Sequence, residues 1–151
     1  MSSEIKYPVP VRGVVTFTNG SQFNFEQLNE YTKEFQVLDE SVMVARERSE
    51  LPKPSSINYL NIKTLVFGEV IKKTKEFYYS GSSGEKLIEN ECAWVPVKII
   101  TQDNAEFDNM YVTVTGDWGC GQTQCTESLS FVKSGFVRTA KIATIRKVEF
   151  T

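Results

Sequence analysis

A mainly β domain, folded as a sandwich or a barrel-like closure, is what this sequence predicts, on three observations. Short runs alternate apolar with polar residues, as at Val11, Val15 and Phe17 and again at Val95, Val97 and Ile99, which is the period of a half-buried strand. Turn signals separate these runs: Asn19-Gly20, Asp103-Asn104, Pro52 with Pro54, and Gly81-Ser82-Ser83-Gly84. Asn-Gly in particular suits a type I′ hairpin, whose two central residues need positive φ. Third, part of the chain is echoed. Ile62-Lys63-Thr64-Leu65-Val66-Phe67 lies in register with Ile145-Arg146-Lys147-Val148-Glu149-Phe150, at an offset of 83 (62 to 145), and Val11 to Phe23 lies over Val95 to Phe107 at an offset of 84 (23 to 107).

The echo suggests two related β halves, residues 9–68 and 93–151, joined by a hairpin over residues 69–92 inside a single β-rich domain spanning 1–151. The middles of the two stretches do not align. General similarity among strands rich in Val, Ile and Phe is the competing account.

In chain order, Pro8 and Pro10 around Val9 impose an extended start, and Val11 to Thr18 is the first strand. Phe25, Leu28, Thr32 and Phe35 then fall at helical spacing, with Asn24 as a cap and Gln27 three residues on. One short helix near residues 24–35 is expected. Val37 to Arg48 reads as two strand pieces about Asp39-Glu40-Ser41, and the prolines that follow mark a loop. Ile57 to Phe67 is a strand, and Glu69–Tyr79 and Lys86–Val97 are the arms of a hairpin whose tip is Gly81-Ser82-Ser83-Gly84. Ala105 to Thr115, Glu127 to Lys133 and Phe136 to Phe150 complete the strands.

A chain of 151 residues can bury a sizeable core. Its 40% hydrophobic and 24% charged residues are those of a soluble globular protein, and no apolar run reaches membrane-spanning length. The polar start, Met1 to Lys6, lacks the apolar core of a secretory signal, so a cytoplasmic location is expected. The net charge of −2 and a pI near 5.3 leave no overall nucleic-acid footprint. A local one remains, because Lys133, Arg138, Lys141, Arg146 and Lys147 follow one another with no acid between them. Such a stripe is either the solvated face of a strand or a surface for phosphates or an acidic partner. Acids gather at Glu26, Glu30, Glu34, Asp39 and Glu40, and ends of opposite sign suit head-to-tail self-association as well as a separate ligand.

The chain has no histidine. Ser-His and Cys-His nucleophile pairs, imidazole bases and nearly all catalytic zinc sites are thereby excluded. Asp103, Glu106 and Asp108 supply the carboxylates a glycosidase would need, yet they fall where a solvated hairpin turn is expected. Gly116-Asp117-Trp118-Gly119-Cys120-Gly121 lacks the lysine of a phosphate-binding loop. Cys120 and Cys125 could close a local disulfide, remain free thiols, or contribute to a metal site. The last is the weakest reading, since only Cys92 could join them and there is no imidazole. Cys92, in a β run beside Trp94, reads as a small buried apolar residue. Trp118, beside Asp117, is either an exposed anchor for a partner or sugar ring or a lid folded over a sheet end. Tyr59, Tyr78, Tyr79 and Tyr111 are either a stacking face or cross-strand packing.

The order strand, Gly-containing turn, strand, closing I-x-x-[LV]-x-F resembles small Sm-like or SH3-like barrels. The resemblance covers the ends of each half; it implies barrel-like closure and assigns no functional residue. The function expected is that of a non-enzymatic protein-binding or assembly protein, a structural subunit or a small inhibitor or immunity-type protein, acting through a β-sheet surface. It would use no cofactor or metal and no membrane, and its partner would be another protein or a second copy. The alternative is a carbohydrate- or nucleic-acid-binding module. Trp118, Asp117, Tyr111, Lys133, Arg138, Lys141 and Arg146 are the candidate contact residues for either.

Overall fold

Alternating apolar residues become strands along the length of the chain. The computed structural model describes residues 7–81, 84–122 and 124–151. The strands are β1 (Tyr7–Val9), β2 (Gly13–Phe17), β3 (Gln22–Phe25), β4 (Gln27–Glu30), β5 (Glu34–Asp39), β6 (Ser55–Asn58), β7 (Ile62–Phe67), β8 (Ile71–Gly81), β9 (Gly84–Thr101), β10 (Glu106–Thr115), β11 (Ser128–Lys133), β12 (Phe136–Lys141) and β13 (Ile145–Phe150). Among the described residues, helix is confined to 3₁₀ turns of three or four residues.

Two sheets form a sandwich. One has four strands in the order β1-β4-β11-β12; the other runs β3-β2-β13-β7-β9-β10-β5-β6, with β8 paired to β9. Between them lie aromatic rings. Phe25 at the end of β3 meets Phe131 of β11 at 4.9 Å and Phe150 of β13 at 5.9 Å, and Phe35 meets Tyr59 at 6.2 Å and Phe67 at 6.3 Å. Leu28, Leu65, Ile99, Leu129 and Val148 are fully buried among them, each contributing about 1.5–3 kcal/mol by leaving water.

The long strand β9 serves two neighbours. Gly84 to Trp94 pairs with β8, so the expected hairpin forms, and Val97 to Thr101 pairs with β7. The tip residues 82 and 83 lie outside the described residues.

One pairing pattern occurs twice. In the β2–β13 ladder Phe17, Thr16, Val15, Val14 and Gly13 face Ile145, Lys147, Val148, Glu149 and Phe150, skipping Arg146. In the β9–β7 ladder Thr101, Ile100, Ile99, Lys98 and Val97 face Ile62, Thr64, Leu65, Val66 and Phe67, skipping Lys63. The flanking hydrogen bonds match as well. Phe17 N–H donates to Ser21 O at 2.8 Å as Thr101 N–H does to Ala105 O at 2.9 Å, and Thr18 N–H reaches Thr144 O at 2.9 Å as Gln102 N–H reaches Asn61 O at 2.8 Å. A 3₁₀ turn leads into each closing strand, Tyr59–Asn61 into β7 and Ile142–Thr144 into β13, and an antiparallel pair stands before each turn, β5–β6 in the large sheet and β11–β12 in the small one. β7 and β13 pair with each other, Leu65 opposite Val148. Each closing strand therefore pairs with the opening strand of the other half.

The expected helix over residues 24–35 is corrected to strands. β3 ends at Phe25, the chain bends at Glu26 into β4 of the other sheet, and β5 starts at Glu34. Phe25, Leu28 and Phe35 are all buried, but on three different strands. The bends between them shift a two-residue period until it counts like a helical one. The second strand piece expected near Val42 is likewise a 3₁₀ turn, Glu40–Met43, capped where the carboxylate of Asp39 accepts the N–H of Ser41 at 2.8 Å.

Candidate functional site

The basic stripe resolves into an edge and an anchor. β11 turns into β12 through Ser134 and Gly135, with φ of +50° and +83°, the tight primed turn that suits the twist of paired strands. β12 ends the four-stranded sheet, so its outer backbone edge has no strand beside it among the described residues. Phe136 is 79% exposed and Val137 54%. Lys133 and Lys141 lie exposed at the two ends of the hairpin, opposite Phe136 and Ser128. Arg138 and Arg146 turn instead onto the chain itself. The guanidinium of Arg138 covers the ring of Phe17 at 4.2 Å and reaches that of Phe23 at 5.6 Å, and Arg146 donates to Thr18 O at 3.1 Å. The structure thus brings Arg138 and Arg146 together on the β2–β3 hairpin.

Trp118 and Asp117 belong to a different corner, built on the β8–β9 hairpin. Asp117 caps the 3₁₀ turn Trp118–Cys120 by accepting the N–H of Gly119 at 2.9 Å. Its second carboxylate oxygen accepts the hydroxyl of Tyr79, which in turn accepts from Asn90 Nδ2 at 3.3 Å. Burial and that contact with Asp117 push the Tyr79 hydroxyl up to about 12. Trp118 lies half-buried, edge-on to Phe77 at 5.1 Å and Tyr79 at 5.4 Å, with the Arg48 guanidinium over its ring at 4.5 Å. Trp118 thus packs its edge on the β8–β9 hairpin while part of its surface stays exposed. Tyr111 is apart from both places, half-buried on β10 opposite Pro96 and Leu38.

The cysteine expectation is corrected. Cys120 is bonded to Cys92, 28 residues away with Cα atoms 5.6 Å apart, and not to Cys125. Trp94 explains the choice: its indole N–H holds Cys120 O at 2.8 Å, folding the turn against β9 where Cys92 lies. Gly116, at φ +121°, lets the chain pass there, since a Cβ would come within 2.5 Å of Cys120 Sγ. Cys125 keeps a buried thiol that accepts Thr113 N–H at 3.1 Å, and burial pushes it up. That thiol is therefore a poor nucleophile.

Lys75 is the other perturbed group, 6% exposed with Nζ 2.6 Å from Val42 O. Desolvation lowers it to about 8 against the pull of Asp117. With Lys73 Nζ 3.4 Å from Met43 O, it pins the 3₁₀ turn Glu40–Met43 onto the hairpin. Sequence reasoning missed Arg48, Lys75, Phe77 and Asn90 here. The alternation of Lys75, Phe77 and Tyr79, which sets all three on one face of a strand, was the available signal. The carboxylates at the β9–β10 turn behave as a solvated turn: Asp103 accepts the Thr101 hydroxyl, and Glu106 pairs with Lys98 at 2.6 Å.

No protein-family model matches the chain, and no curated protein and no solved structure is significantly similar to it.

Proposed function

We propose that this chain is a non-enzymatic assembly protein that binds through the open edge of β12, with a second copy of itself as the partner. The exposed pair Phe136 and Val137, on a strand edge that is unpaired among the described residues, carries this reading, because such edges recruit further strands unless they are blocked. β12 contains no proline, whereas β1, at the other end of the same sheet, carries Pro8. Two β12 strands laid antiparallel about Arg138 and Thr139 set Phe136 opposite Lys141 and Val137 opposite Ala140. No like charges then face each other directly.

Support for a non-enzymatic role comes from the side chains: there is no imidazole, two of the three thiols are tied in a disulfide, and the third is buried. Binding to a phosphate backbone is disfavoured because Arg138 and Arg146 are spent on Phe17 and Thr18. The recurrent ladder registers support descent of the two halves from one duplicated unit. The Cys92–Cys120 bond argues for an oxidising compartment over the cytoplasm.

Light scattering across a concentration series tests the assembly reading. The expected result is a concentration-dependent dimer that Val137→Pro, on the open edge, converts to monomer. A wild-type chain that stays monomeric at millimolar concentration sinks it.

A further inference from the structure

The matched registers of the two halves let each side chain round one 3₁₀ turn be compared with its counterpart round the other. Beside the turn that leads into β13, the guanidinium of Arg138 fills the space between β12 and the β2–β3 turn, lying over Phe17 and Phe23. Carried back by the 83-residue offset that relates the two 3₁₀ turns (59 to 142), Arg138 becomes Ser55. Carried forward by 84, Phe17 becomes Thr101 and Phe23 becomes Phe107. A serine cannot span that space. Where Arg138 closes one half, the other half holds a cleft of about 760 Å³ between β6, the turn Tyr59–Asn61 and the β9–β10 turn.

The cleft has the lining a guanidinium needs. Phe107, the counterpart of a ring that Arg138 covers, is 41% exposed there. Two carboxylates, Glu34 and Asp103, line it, and none of its lining residues is basic. The Thr101 hydroxyl and the Ala105 N–H hold the Asp103 carboxyl below its usual range. β6 ends the large sheet, so among the described residues an outer strand edge runs along the cleft's rim.

We propose that this cleft binds an arginine side chain presented by an extended segment of another protein. Arginine fits better than lysine because its planar head both stacks on an aromatic ring and forks onto a carboxylate. The sealed half already shows the stacking with this chain's own residues. A protein is the source because a strand added along β6 delivers a side chain at a fixed height over the cleft, which a free amino acid cannot do. The inference goes beyond the β12 reading, since it concerns the edge strand of the other sheet.

The test is a fluorescence-anisotropy titration of the intact chain with a labelled, otherwise neutral peptide carrying one arginine flanked by valine and threonine. Replacing that arginine by citrulline, which keeps the shape and removes the charge, is expected to weaken binding by about tenfold or more, the size of a charge-assisted contact. Ser55→Arg, which gives the open half the residue of the sealed one, abolishes binding, and so does Glu34→Gln combined with Asp103→Asn. Melting curves show whether Ser55→Arg is folded; if it is not, Phe107→Ala takes its place. N-acetyl-arginine amide competes poorly. Val137→Pro leaves peptide binding unchanged, so loss of assembly and loss of this site are read separately. Absent binding, equal binding of the citrulline peptide, or full binding by a folded Ser55→Arg variant each overturns the proposal, and equal competition by the free amide overturns the protein source.

Discussion

The β2–β13 ladder and the β9–β7 ladder share one register, and the surfaces beside their 3₁₀ turns are finished in opposite ways. Both skip one residue at the start of the closing strand, at Arg146 and at Lys63, and both lead into it through a 3₁₀ turn. One seals the space beside that turn with Arg138, and the other leaves it open at Ser55. The β8–β9 hairpin is additional to both ladders; it carries Lys75 and Cys92 of the disulfide, and Trp118 packs against it. Register follows the apolar alternation and so survives many substitutions. What fills a cleft depends on one or two side chains.

The comparison is broken most forcefully at the seam between the halves. Leu65 and Val148 face each other there, both fully buried. Leu65→Ala is expected to cost about 2–5 kcal/mol, and Val148→Ala somewhat less because a smaller side chain is truncated. Since β7 and β13 each pair with the other half, both variants should shift one cooperative denaturant transition. Two separate transitions would show that the halves fold independently.

The disulfide separates the hairpin from the shared plan. Cys92→Ala opens a loop of 28 residues and is expected to cost about 3 kcal/mol. Hydrogen exchange should accelerate in β8 and in the turn Trp118–Cys120 more than in β2 or β13. Uniform acceleration would mean that the hairpin is not a separable addition.

The two closing strands were legible in the sequence because an alternating run and its closing phenylalanine recur at nearly constant spacing. Ile62 to Phe67 and Ile145 to Phe150 could be matched before their pairing was seen. The helix expected at Phe25, Leu28 and Phe35 failed because spacing within one chain carries no mark of a bend between sheets. The partner of Cys120 was hidden for a related reason: Cys92 lies on a strand whose position is set by pairing with β8 and by the indole of Trp94. The stacking of Arg138 on Phe17 joins opposite ends of the chain. The cleft at Ser55 is visible only as the absence of such a contact in the matching place.

A pH series sharpens the contrast at the hairpin. Lys75 has its folded value lowered to about 8 from 10.5, so between these two values the unfolded chain binds more protons than the folded one. Stability should therefore rise with pH across that window, by up to about 3 kcal/mol. Tyr79 runs the other way. Its folded value is raised to about 12 from 10.0, so its contribution is complete below pH 10 and is lost as pH climbs towards 12. Denaturant midpoints should peak near pH 10. Lys75→Met should flatten the rise and leave the later fall in place, and an unchanged profile would show that the amine is solvated.

The smallest effect expected is at Arg138, and it bears most directly on why one half is sealed. Arg138→Ser places at this site the residue found at its counterpart, Ser55. The stacking over Phe17 is lost, as is the cover its aliphatic stem gives the ring, together about 1 kcal/mol. Arg138→Lys keeps the charge and much of the stem but not the planar head, so a loss between wild type and serine assigns part of the effect to stacking. Because Phe17 pairs with Ile145 inside the β2–β13 ladder, the ladder itself should hold in both variants. A crystal structure of Arg138→Ser should then show an open cleft beside the turn Ile142–Thr144. A cleft closed there by other side chains would mean that the open one at Ser55 depends on Thr101 and the carboxylates and not on the missing arginine.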